Sequence, residues 1–184
     1  MGADHWLPRV RRDLSPNRDA RPSAPSRAGV ELVVIHNISL PPGRFGANLV
    51  GDFFCNRLDC SRHSALEELS GVEVSAHLFI DRQGRATQFV PFDQRAWHAG
   101  VSSWRGRARC NDFAVGIELE GTDIRPYTKA QYARLARVLA WLFQQYPELS
   151  LDRLVGHNEI APNRKTDPGA AFDWAVLFQS LGSI

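Results

Sequence analysis

The stretch GHNEIAPNRKTDPG, residues 156–169, carries an imidazole, an ammonium and a carboxylate in His157, Lys165 and Asp167, interrupted by Pro162 and Pro168. Prolines restrict the unfolded freedom of a loop, and so hold a ligand at a fixed reach. The segment is expected to be neither helix nor strand. Two apolar runs elsewhere end in groups of the same kind: ELVVIHN in His36 and Asn37, FAVGIELEG in Glu118 and Glu120. Two imidazoles and one carboxylate suit zinc, leaving the fourth tetrahedral position to water. A cation so held lowers the pKa of that water from about 16 to near 7. No H-E-x-x-H helix is present, which excludes a thermolysin-type arrangement. Strand side chains alternate, so Glu118 and Glu120 share a face, and either is a candidate base. Lys165, with Lys129 the only lysine of a chain that otherwise uses arginine, is a candidate to face an oxyanion.

These groups need elements to carry them. ELVVIHN is short, apolar and β-branched, the pattern of a buried strand. Pro41, Pro42, Gly43 and Gly46 keep the next segment irregular. Apolar residues at 49, 50, 53, 54 and 58 have helical spacing, and SALEELS opens with Ser64 and Glu67, a capping-box pair. Residues 75–90 read as strand, tight turn and strand, with the turn at 81–84. FAVGIELEG predicts a strand. Thr128 and Gln131 form a second capping box, and Tyr132, Leu135, Leu139, Leu142 and Tyr146 make one apolar stripe before Pro147. RLVGH is a short strand, and FDWAVLFQSL a final helix capped by Asp173. Strands and helices are interspersed, which predicts an α/β fold: one domain, a central mixed β-sheet flanked by helices, with the metal site at strand ends and adjoining loops.

At 184 residues the chain fits one domain with a substantial core. Its 43% hydrophobic and 23% charged residues exclude wholesale disorder. Residues 1–29 hold six Arg against three Asp and read as an extended, solvated lead-in to a domain spanning 30–184. The remainder holds 16 basic and 17 acidic residues, so no basic face for nucleic acid is expected. Cys55, Cys60 and Cys110 suggest neither a disulfide framework nor a metal knuckle. The N-terminus lacks the apolar core of a secretory signal, and no stretch approaches a membrane span of roughly 18 apolar residues. The expectation is a soluble, cytoplasmic monomer.

LVVIHNISLPPGRFG, VSAHLFIDRQGRATQFVPFDQRAWHAGVSSWRGRARCNDFAVGIELEGTD and VGHNEIAPNRKTDPGAAFDW resemble the AmpD-type N-acetylmuramoyl-L-alanine amidases. These belong to the amidase-2 group, whose fold is shared with peptidoglycan recognition proteins. The resemblance runs from about Trp6 to Trp174. It implies zinc held by His36, His157 and Asp167, with Glu118 rather than Glu120 as the catalytic base and Lys165 as the lysine that stabilises the oxyanion. It also implies hydrolysis of the amide between the lactyl group of 1,6-anhydro-N-acetylmuramic acid and L-alanine. That reaction belongs to cell-wall recycling in the cytoplasm, where it also keeps β-lactamase induction low. Asn37, Trp97, His98 and Arg109 are candidate substrate contacts: Trp97 as a flat wall for a sugar, Arg109 as a bidentate partner for a stem-peptide carboxylate. Glu73 stands where related sequences often carry Arg. Two other readings are a lytic amidase acting on intact wall and a peptidoglycan-binding module without catalysis.

Overall fold

The computed structural model describes residues 5–22 and 29–184. Six strands form its main sheet: β1 (Arg11–Arg12), β3 (Leu32–Ile38), β4 (Leu78–Ile80), β5 (Ala86–Gln88), β9 (Ala114–Glu120) and β10 (Leu154–Gly156), in the order β1-β5-β4-β9-β3-β10. Neighbours among β4, β9, β3 and β10 run parallel, whereas β4 and β5 are the antiparallel hairpin expected at 75–90. Gly84 closes that hairpin at φ 77°, a left-handed conformation that glycine adopts at no steric cost. Two small ribbons complete the strands: β2 (Arg18–Ala20) with β6 (Gln94–Ala96), and β7 (Ser103–Trp104) with β8 (Arg107–Ala108).

Strand alternation divides the sheet between two layers. Val33, Ile35, Val115, Ile117, Leu119, Leu78 and Ile80 enter one cluster with Tyr132, Leu135, Leu139, Leu142 and Tyr146. Those five belong to α2 (Lys129–Gln145) and its C-cap, and they are the stripe that the sequence predicts. Thr128 Oγ1 accepts from Gln131 N, and Gln131 Oε1 accepts from Thr128 N, so the predicted capping box is formed. Such a cap contributes about 1 kcal/mol. The final helix α4 (Trp174–Leu181) packs against α2, and Asp173 Oδ1 accepts from Ala175 N and Val176 N. The residues of opposite parity, His36, Gly116 and Glu118, face the other layer. There α1 (Leu49–Phe54) adds Val50, Phe53 and Phe54 to Leu40, Phe79 and Phe89. Among the described residues no helix is long and apolar enough to cross a membrane.

The structure differs from the sequence reading in three places. The N-terminal segment is extended but not a solvated lead-in. Its strands pair with β5 and β6, Leu7 lies in the core, and Ser15 and Asn17 are buried. Polar residues are buried there because their hydrogen bonds are met: Ser15 Oγ donates to Phe54 O at 2.5 Å and Asn17 Nδ2 to Val74 O at 2.8 Å. The rest of that reading, residues 1–4 and 23–28, lies outside the described residues. At SALEELS the chain forms a 3₁₀ helix, Ser64–Leu69, whose cap is His63, with Nδ1 accepting from Ala65 N. Ser64 is already its first helical residue. Third, the segment after β10 does contain one helical turn, α3 (His157–Ile160).

Candidate active site

β3 and β10 are parallel neighbours, so they deliver His36 and His157 to the same end of the sheet. His36 is the fifth of seven strand residues, and His157 opens α3 directly after β10. The loop beyond α3 folds back, and Asn158 N donates to Asp167 O at 2.9 Å. Three donor atoms then meet. His36 Nδ1 lies 3.0 Å from His157 Nδ1 and 3.0 Å from Asp167 Oδ2, and His157 Nδ1 lies 3.1 Å from the same oxygen.

Proton placement shows what this triangle is suited to hold. His157 Nε2 faces Ala99 O at 3.1 Å, and a carbonyl oxygen only accepts. Its Nε2 therefore carries a proton, and its Nδ1 is the nitrogen turned towards Asp167. Burial drives the His36 ring down to about 4, and the neighbouring His157 adds to this against the pull of Asp167, so His36 is neutral. Burial works to raise the Asp167 carboxyl, but the facing His157 and His36 rings outweigh it and hold it well below the usual range. Two ring nitrogens and a carboxylate oxygen converging at about 3 Å call for a cation between them, a shared proton or a metal ion. Metal bonds of about 2.0–2.2 Å span such a triangle. The three residues fit a metal ion.

Glu118 is the register partner of His36 across β3 and β9. Its Oε2 is buried and has no hydrogen-bond partner. Burial raises its pKa well above the ordinary value, the Asp167 charge adds to this, and Lys165 opposes it. Two residues on, Glu120 accepts from Gly46 N at 2.5 Å and from Arg82 N at 3.0 Å. It holds loops together. His36, His157, Asp167, Glu118, Asn37, Trp97 and Lys165 line one cleft of about 330 Å³, walled further by Leu40, Phe53, Leu69 and Val72. Lys165 is exposed at its rim.

The profile of the N-acetylmuramoyl-L-alanine amidase family matches residues 26–170. The chain belongs to that family. The 1,6-anhydro-N-acetylmuramyl-L-alanine amidase AmpD of Salmonella typhimurium (strain SL1344) is 52% identical over 169 residues, covering 92% of this chain and 88% of that one. A crystal structure of a selenomethionine AmpD derivative matches with a TM-score of 0.92 and 48% identity, across 98% of this chain and 99% of that one. The amidase AmiD of Escherichia coli, solved with the substrate anhydro-N-acetylmuramic acid-L-Ala-D-gamma-Glu-L-Lys, matches at a TM-score of 0.62 and 29% identity, across 87% and 60%.

One of the candidate substrate contacts of this amidase falls differently from expectation. His98 lines the cleft as expected, and its Nδ1 also lies 2.9 Å from His36 Nε2. Arg109 lies outside the cleft lining, with its side chain 72% exposed and paired to Asp112 at 3.2 Å. Its φ of 64° turns the chain at the end of the β7–β8 ribbon. Asn37 keeps its place, but its Nδ2 donates to Asp123 Oδ1 at 2.8 Å. Asp123 is a residue that sequence reasoning missed. Its Oδ2 accepts from Thr166 Oγ1 at 2.5 Å, and Tyr127 Oη donates to Pro168 O at 2.8 Å, so both tether the segment that bears Asp167. Arg164 was missed as well. It donates to Ala99 O at 2.6 Å, the same carbonyl that receives His157. No spacing or composition signal marks either residue.

Proposed function

We propose that this amidase is a zinc enzyme that hydrolyses the amide between the lactyl group of 1,6-anhydro-N-acetylmuramic acid and the L-alanine of soluble muropeptides. The observation that carries the reading is a buried, unpartnered carboxylate oxygen on Glu118 beside three converging donor atoms. His36, His157 and Asp167 hold the zinc. When bound, zinc supplies Lewis-acid polarisation of the scissile carbonyl and acidifies a water molecule. Glu118 takes the proton of the attacking water and hands it to the departing alanine nitrogen. A cation at the triad and the Lys165 ammonium both favour its ionised form, offsetting the burial that raises its pKa. Lys165 turns its ammonium towards the carbonyl oxygen as negative charge collects there. Trp97 offers a flat apolar wall to the sugar, and Asn37, fixed by Asp123, orients the substrate.

The anhydro-muropeptide preference is supported by the AmpD relatives, which carry that substrate in their name, and by the AmiD complex. It implies cell-wall recycling in the cytoplasm. The test is mass-spectrometric: purified protein with 1,6-anhydro-N-acetylmuramyl tripeptide, with and without a chelator. Release of free tripeptide that the chelator abolishes is expected. A folded, zinc-loaded sample that leaves this substrate intact yet releases peptide from insoluble sacculi would overturn the recycling substrate in favour of a lytic one.

A further inference from the structure

The nitrogens of His36 and His157 that face away from the metal site are held by two consecutive residues. His36 Nε2 meets His98 Nδ1 at 2.9 Å, and His157 Nε2 donates to Ala99 O at 3.1 Å. Both N–H groups of this pair are held by one side chain: Asn111 Oδ1 accepts from His98 N at 3.1 Å and from Ala99 N at 2.8 Å. The His98 ring is fixed as well. It lies against Gly116 of β9, where any Cβ would overlap it. Its edge meets His77 with ring centroids 5.8 Å apart. His77 is itself held in place, because Nδ1 accepts from Gly116 N and Nε2 meets both Gln94 O and Arg21 Nη2, each at 3.0 Å.

We infer that His98 and Ala99, pinned by Asn111, are the outer clamp of the metal centre, and that His98 is a positioning residue that accepts the Nε2 proton of His36. A ring with its proton on Nε2 must present a lone pair at Nδ1, which is the atom that faces His157 and Asp167. Ligand histidines are commonly oriented in this way, through a bond from the nitrogen that does not touch the metal. Here one ligand is held by a carbonyl and the other by an imidazole. Both acceptors are neutral, so neither adds negative charge to the site. A single dipeptide sets both tautomers, and any shift of its backbone moves both ligands together. The inference rests on the zinc reading above.

The test pairs two near-isosteric substitutions in the full-length protein. His98→Leu keeps an apolar side chain under His36 but removes the acceptor, whereas His98→Asn offers Oδ1 in place of Nδ1. Zinc affinity is read by competition with a chromogenic chelator, and the thermal stability of the metal-free variants is read alongside. His98→Leu is expected to bind zinc about 10–100-fold more weakly, and His98→Asn to recover most of that loss. Equal affinity of the Leu variant and the parent overturns the inference, as does an Asn variant as weak as the Leu variant. Long-range proton–nitrogen NMR of the zinc-loaded parent decides without any variant. A bare His98 Nδ1 with its proton on Nε2 is expected, and a proton on Nδ1 overturns it. Failure of the zinc reading itself looks different, because the parent protein then holds no zinc at all.

Discussion

Glu118 and Glu120 leave the same strand on the same face, two residues apart, into opposite surroundings. Around Glu120 the chain has brought up donors. The N–H groups of Gly46 and Arg82 bind its two oxygens, and its own carbonyl accepts from Gln131 Nε2 at 3.0 Å. Around Glu118 the chain has brought up His36, Asp167 and an apolar wall, and one carboxylate oxygen is left buried with no donor. A buried polar group without a partner costs about 1–3 kcal/mol. A fold that gives Glu120 two donors and leaves a buried oxygen of Glu118 with none has spent stability at the second position. That asymmetry marks the reacting end of the strand.

The same substitution at both positions sharpens this contrast. Glu118→Gln in the zinc-loaded protein is expected to lower kcat by about 10²–10⁴-fold while zinc content by elemental analysis stays at the parent level. Parent-like turnover would break the contrast outright. Next comes stability after zinc has been chelated away. Folded Glu118 has its pKa raised by burial, so the native state keeps a proton that the unfolded chain loses above 4.5. Stability of the metal-free parent therefore falls as pH rises above that value. Metal-free Glu118→Gln, which cannot titrate, is expected to be more stable than the parent at neutral pH, with the gap closing as pH falls towards 4.5; urea unfolding across that range reads it. Glu120→Gln is expected to act in the opposite sense, losing about 1–3 kcal/mol in the same assay because one N–H loses its acceptor, with kcat near the parent value. The smallest effect belongs to Arg109→Ala. Its guanidinium is mostly exposed and outside the cleft. Stability should change by no more than about 0.5 kcal/mol, with kcat/KM on anhydro-muropeptide unchanged. A large rise in KM would return Arg109 to the substrate.

Much of the scaffold was legible because its signals are local. The Thr128–Gln131 box and the Tyr132-to-Tyr146 stripe lie within one helix, and the hairpin announces itself through its turn. Alternation placed both glutamates on one face but did not separate them. Their difference depends on Gly46 and Arg82, which are remote in sequence. The N-terminal segment misled for the same reason. Arg21 sits in a stretch rich in Pro, Ser and Arg, yet its guanidinium donates to Phe92 O, Asn111 O and Ala114 O, between 71 and 93 residues away. Composition sees the charge and misses the carbonyls. His98 was legible as a cleft residue, but the sequence does not reveal that Gly116 opens space for its ring beside His36.

By itself, then, the sequence determined the kinds of group this amidase has to work with: two imidazoles and a carboxylate for a cation, two candidate bases, a lone lysine near one ligand, and the strands and helix that carry them. Hydrophobic period and capping chemistry act over a few residues, so they can be read in one dimension. Only the tertiary structure decided that His36 and His157, 121 residues apart, meet within 3.0 Å, that a buried oxygen of Glu118 lacks a donor where Glu120 has two, and that Arg109 lies outside the cleft lining. Those outcomes depend on which strands pair and which loops return over them, and pairing energy is shared among contacts distant in the chain.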